Sequence, residues 1–239
     1  FLHSVAGKIN GQPLNLDGQI KLDGELPEFD LAIKTDGFEL SALPLSQYGV
    51  PDVKGLLKAS IQLTGTLGEP TANGEATVQG LEIDQVILGD VSAKLEETKG
   101  ELVLSQIQAQ IFAGQIEGNG RYHWQDAAGN LDLSIGGVDL SLVPARWLPN
   151  ELALNGRMSG SLNTTIRSGQ INSVGNLDFQ EGRVEGIPLN QLQFTAGMTT
   201  SGGFDRIVGS GRAAGGSIRF EGTQSRLSLS GDGLNLAQV

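Results

Sequence analysis

Cysteine is absent from this sequence, which excludes a disulfide scaffold and any thiolate metal site without fixing the compartment. Aromatic residues are scarce at 5%, with two Trp and two Tyr, too few for the girdles that flank a transmembrane β-barrel. No run approaches 18 apolar residues, so nothing here spans a bilayer as a helix, and no signal peptide is visible. Positive charge is also short. The 16 Lys and Arg against 27 Asp and Glu leave a net charge of −11, which repels nucleic acid. The chain starts at Phe1 rather than Met and is expected to be a piece of something longer, with any membrane anchor outside it.

Groups for catalysis are missing too. His3 and His123 are far apart and have no companions at ligand spacing, and His123 is expected to be a solvent-facing strand residue. The pair Glu96-Glu97 sits beside Thr98-Lys99-Gly100, so a solvated turn is expected there. General acid–base chemistry needs carboxylates whose environments split their pKa values, and nothing suggests that here. No Gly-x-Ser-x-Gly elbow, P-loop, HExxH or calcium-binding nonapeptide occurs. Gly118-Asn119-Gly120 and Gly209-Ser210-Gly211 lie where strands are expected and read as bulges or bends. We therefore expect no catalytic residue, no metal, no cofactor and no enzymatic activity.

Glycine is what the chain has in abundance: 35 residues, roughly twice average usage. The glycines separate runs in which apolar and polar residues alternate. In Gly55–Asp84, Leu57, Ala59, Ile61 and Leu63 fall on one side and Lys58, Ser60, Gln62 and Thr64 on the other, before a Gly/Pro cluster ending at Pro70. Period-two alternation predicts half-buried strands, and the cluster predicts a hairpin. Further alternating runs cover Val86–Leu95, Glu101–Ile111, Gln115–Trp124, Leu131–Ile135, Leu152–Ile166, Asn176–Val184 and Leu189–Met198. Together they predict an all-β, mostly antiparallel fold with one apolar face. On that face the reading places Leu57, Ile61, Leu63, Val78, Leu102, Leu104 and Ile116. From later runs it adds Leu131, Leu133, Ile135, Leu162, Leu177, Phe179 and Phe194.

The runs also recur. Gly37-Phe-Glu-Leu-Ser-Ala-Leu-Pro44 is echoed 100 residues on by Gly137-Val-Asp-Leu-Ser-Leu-Val-Pro144. Gly55 and Gly156, which open the next runs, are 101 apart, as are Gly74 and Gly175. A partial echo, Gly233–Val239, closes the chain. An internal repeat of about 100 residues is expected, with residues 1–54 ending one copy, 55–155 forming a second and 156–239 a partial third. Leu45–Val53 is a connector with room for one helical turn. A repeat of this length, without a blade signature, suits an open or folded-over sheet extended by copying.

Leu63-Thr-Gly-Thr-Leu-Gly-Glu-Pro-Thr-Ala-Asn-Gly74 resembles a turn-and-strand pattern repeated through the TamB and wider AsmA-like proteins of Gram-negative envelopes. The Gly37–Pro44 and Gly137–Pro144 segments resemble that family's hydrophobic-acidic-Leu-x-x-Leu-Pro step, and the likeness covers most of the chain. The second copy departs from it, with Gly169-Gln170-Ile171 where Gly68-Glu69-Pro70 would recur. The resemblance implies an elongated, twisted sheet curled into a groove in the periplasm, held by an inner-membrane helix outside this chain. It implies that the apolar face conducts phospholipid acyl chains between inner and outer membrane. It also implies a link to assembly of outer-membrane barrels with an Omp85-type partner. A scaffold for such assembly is therefore the alternative reading, and a structural or adhesive β-domain with a dry core is a third.

Overall fold

A computed structural model describes residues 2–9, 11–22, 26–43, 52–66, 68–83, 86–144, 153–199, 204–223 and 226–235. Most of the expected connector Leu45–Val53 and the end of the echo at Gly233–Val239 lie outside the described residues. The described chain is almost entirely strand. In order these are β1 Leu2–Ile9, β2 Gln12–Lys21, β3 Glu28–Glu39, β4 Val53–Thr66, β5 Pro70–Ile83, β6 Val86–Thr98, β7 Glu101–Ile111 and β8 Gly114–His123. They continue as β9 Ala128–Asp139, β10 Leu154–Arg167, β11 Gln170–Val184, β12 Ile187–Thr199, β13 Phe204–Ala213, β14 Gly216–Thr223 and β15 Arg226–Asp232. Among the described residues two short 3-10 turns interrupt them, Leu40–Ala42 and Leu140–Leu142. They fall inside the Gly37–Pro44 and Gly137–Pro144 segments, ahead of the place where a helical turn was expected.

Strand order along the sheet equals chain order, in one open fifteen-stranded sheet. Every strand pair with a defined register is antiparallel, as short connections between consecutive strands require. Several strands outrun the alternating stretches. For example, β11 starts at Gln170 rather than at Asn176, because its polar residues also pair in the ladder. Equivalent elements start at a nearly constant offset: Glu28 and Ala128 open β3 and β9, and Val53 and Leu154 open β4 and β10.

The chain divides into two compact units, residues 1–111 with 121–124 and residues 112–120 with 125–239. This division follows packing and is independent of the boundaries expected at 54/55 and 155/156. In unit 1, ladder register slips between Asp36 and Phe38 on β3 and between Lys54 and Leu56 on β4. The skipped residue on β4 is Gly55, at φ 142°, where a side chain would be strained. In unit 2 the slip between Asn155 and Arg157 leaves out Gly156, at φ 100°. Such bulges bend a strand and re-aim the side chains beyond them.

Gly209 and Gly211 are not bulges, against the sequence expectation. They pair in unbroken register with Phe220 and Ile218. A Cβ on either would run into the backbone carbonyl of β12, so these glycines mark close approach of neighbouring strands.

Little is fully buried. Among the described residues the buried apolar side chains are Phe38, Val138, Leu140, Leu189, Ala196, Ala213 and Ala214, and no large side chain is completely enclosed. Most other apolar side chains of the strands are half-buried.

Candidate functional site: an aliphatic sheet face in each unit

Directly paired residues of an antiparallel sheet project to the same side, so the ladder registers map each face. In unit 1, one row reads Ile33–Ile61–Gly74–Leu95–Leu104 across β3 to β7. Flanking rows on the same side read Leu31–Leu63–Ala72–Glu97–Leu102 and Phe38–Leu57–Val78–Val91–Ala109. The sequence candidates Leu57, Ile61, Leu63, Val78, Leu102 and Leu104 therefore share one face, and all are half-buried. Glu97 was expected in a solvated turn. It lies in β6 on this apolar side, half-buried, and accepts a hydrogen bond from the Gly100 N–H at 3.0 Å.

In unit 2 the central row is Leu133–Leu162–Gly175–Phe194–Gly209–Phe220–Leu229. Beside it run Ile135–Gly160–Leu177–Leu192–Gly211–Ile218 and, nearer the turn end, Val138–Met158–Phe179. Leu131 pairs with Thr164 on the same side. Ile116 joins this face: it alternates with Gly118, whose Cβ would point at Cδ2 of Leu133 from 2.6 Å. The second group of candidates thus also shares a face within its unit. Residues missed from sequence include Ile33, Val91, Leu95, Leu192, Ile218 and Phe220. Their signal was the same alternation: Val91 and Leu95 lie in the run Val86–Leu95, from which no candidate was drawn, and Leu192 lies two residues before the candidate Phe194.

The opposite face is polar and is pinned by cross-strand amide–carboxylate pairs. The Gln62 amide donates to Asp30 in unit 1. In unit 2 Asn163 donates to Asp132 at 2.7 Å and Gln191 to Asp178 at 3.2 Å. Two ionisable groups are shifted among the described residues, the exposed Lys54 and the half-buried Asp139. The Lys54 ammonium is held above its ordinary range, first by the hydrogen bond it donates to Glu82 at 2.6 Å and then by that carboxylate's charge. Asp139 is held below the usual carboxylate range by bonds it accepts from the Ser141 hydroxyl at 2.6 Å and the Ser141 N–H at 3.0 Å. Both pairs fasten strand ends, and Asp139 with Ser141 also lines an open polar depression of about 310 Å³ beside Asn155, Arg157 and Glu181. A polar depression of about 580 Å³ in unit 1 is lined in part by the paired row Lys34–Ser60–Glu75–Lys94, whose side chains are exposed. No group of His, Asp and Glu suited to a metal occurs among the described residues. His123 is half-buried rather than solvent-facing.

Chemically, then, the distinctive surface is largely apolar. It can exclude water from a hydrocarbon along most of its length, and the polar side chains Glu97 and Thr164 on it are engaged by the Gly100 N–H and by the Ser173 hydroxyl. No curated protein and no solved structure matches the chain. A family model described as the TamB C-terminal domain matches residues 4–206. That span takes in all fourteen candidate face residues and the whole of β2 to β12, and on it the chain belongs to the TamB family.

Proposed function

We propose that this chain is a non-enzymatic section of a lipid conduit, whose aliphatic faces receive the acyl chains of phospholipids moving through the periplasm between inner and outer membrane. One observation carries the reading. Leucine, isoleucine and valine line one side of each unit, yet most of them are only half-buried, and the described strands belong to one sheet. A β-sandwich would cover such rows with a facing sheet about 10 Å away. Membership of an envelope protein family accords with a periplasmic setting.

The energetics suit transfer better than storage. Leaving a fourteen-methylene stretch in water costs roughly 11 kcal/mol at about 0.8 kcal/mol per CH₂. A largely aliphatic face, whose Glu97 and Thr164 already have hydrogen-bond partners, removes that cost without holding the ligand at one place. Strand β4, with 14 residues, is ample to flank an acyl chain, at about 3.3 Å per residue. The polar side and the negative charge of the chain keep the outer surface solvated.

A photoreactive side chain at Leu104, followed by mass spectrometry of the adduct, tests this directly. Phospholipid in the adduct is the expected result. Polypeptide alone would reject the conduit and favour a scaffold that receives unfolded outer-membrane strands, acting with an Omp85-type barrel. No adduct in the presence of lipid and client would leave a structural β-domain.

A further inference from the structure

The central row of unit 2 alternates glycine with phenylalanine, Gly175–Phe194–Gly209–Phe220, across four adjacent strands. The rings use the glycines. A Cβ at Gly175 would overlap the Phe194 ring, and its three nearest heavy atoms all belong to that ring. A Cβ at Gly209 would likewise overlap Cζ of Phe220. Gly175 is buried although it sits on the half-exposed face, because the ring covers it. Phe194 therefore lies across β11 instead of standing off the sheet, and Phe220 lies across β13 in the same sense, like overlapping tiles.

From this geometry we infer that Gly175 is a positioning residue, keeping the apolar face of unit 2 open to a straight hydrocarbon chain by letting Phe194 lie flat. This deepens the conduit reading and rests on it. The backbone at Gly175 is outside the left-handed region, so alanine fits its φ, and the backbone is not what the new methyl would strike. The ring has to move instead. It cannot tip the other way, because the glycine on β13 that would receive it, Gly209, is already covered by Phe220. Side chains occupy discrete staggered wells, so the displaced ring rises off the sheet into the space an acyl chain would use. Gly209 is a poorer probe, since its Cβ would also strike the Gln193 carbonyl on β12.

The test uses the full chain with a diazirine-bearing residue at Leu177 in unit 2 or at Leu104 in unit 1, incubated with phosphatidylethanolamine–phosphatidylglycerol vesicles. In Gly175→Ala, lipid capture at Leu177 is expected to fall by roughly tenfold, the scale of an overpacking penalty, while capture at Leu104 is unchanged. Adding Phe194→Ala should restore capture at Leu177, which a general disturbance of strand pairing would not allow. Unchanged capture at Leu177 in Gly175→Ala overturns the inference alone, as does a loss that Phe194→Ala fails to rescue. Absence of lipid at both positions in the parent protein overturns the conduit reading and this inference with it. Circular dichroism melting of each variant identifies any that unfold. For one that does, Phe194→Trp supplies the same obstruction without touching Gly175, and full capture at Leu177 in that variant would also overturn the inference.

Discussion

Unit 1 builds its apolar side almost wholly from aliphatic side chains, as in Ile33–Ile61–Gly74–Leu95–Leu104. Unit 2 builds the corresponding surface from phenylalanine laid over glycine. Burial separates them as well. Val138, Leu140, Leu189, Ala196, Ala213 and Ala214 are all in unit 2, and Phe38 is the one buried apolar side chain of unit 1 among the described residues. The same alternation thus supports two balances of stability. Unit 2 holds most of the fully buried apolar side chains among the described residues. Unit 1 depends more on its ladders and on cross-strand pairs of its polar side, such as Lys54 with Glu82 and Gln62 with Asp30.

Carboxylates placed on the two surfaces test this contrast most strongly. Leu189→Asp would bury an unpaired charge at a site 5% exposed, and should cost roughly 4 kcal/mol or more. Ile61→Asp projects from a half-buried face and should cost about 1 kcal/mol while abolishing lipid capture at Leu104. Urea unfolding of both variants decides the point. Equal losses would mean that unit 1 has a closed core after all.

The glycines separate the units next. A Cβ at Gly74 would meet the Ser60 carbonyl and lie 2.8 Å from the Ile61 Cα, both backbone atoms that cannot yield without opening the β4–β5 ladder. Gly74→Ala should therefore cost roughly 1–3 kcal/mol. Gly175→Ala should cost less, because a ring can move where a strand cannot. Melting temperatures in the reverse order would break the distinction.

A smaller effect of opposite sign is expected at a bulge. β5 slips register between Val78 and Leu81, with Gly80 at φ 60°, and β11 slips between Asp178 and Gly182, with Glu181 at φ 54°. Only the second carries a side chain in the left-handed region, so Glu181→Gly should stabilise unit 2 by about 1 kcal/mol. A raised urea midpoint checks it.

The smallest contrast concerns the two 3-10 turns. Asp139 caps its turn through Ser141, whereas Glu39 makes no side-chain cap at the equivalent place. Because Asp139 titrates below its ordinary value of 3.8, its contribution is present above that value. It is lost as pH falls through the lowered one. Carboxyl titration by NMR should show the shift and its partial loss in Ser141→Ala.

The hairpin at Gly55–Asp84, the all-β class and the shared face of Leu57, Ile61 and Leu63 could be read from residue order alone. Side chains of a strand alternate at a period of two, so an apolar set at that period falls on one side whatever the sheet does elsewhere. The match of Gly37–Pro44 to Gly137–Pro144 was legible for the same reason, being a pattern along the chain. What only the tertiary structure decided is what lies across the chain. Leu189 and Ala213, 24 positions apart, are buried as directly paired neighbours on β12 and β13. The seating of Phe194 on Gly175 depends on the register of β11 against β12, which slips between Asp178 and Gly182. Register between strands is set by bulges and close backbone approach, and one residue of slip would have faced Phe194 with Val174 or Asn176 instead of a glycine.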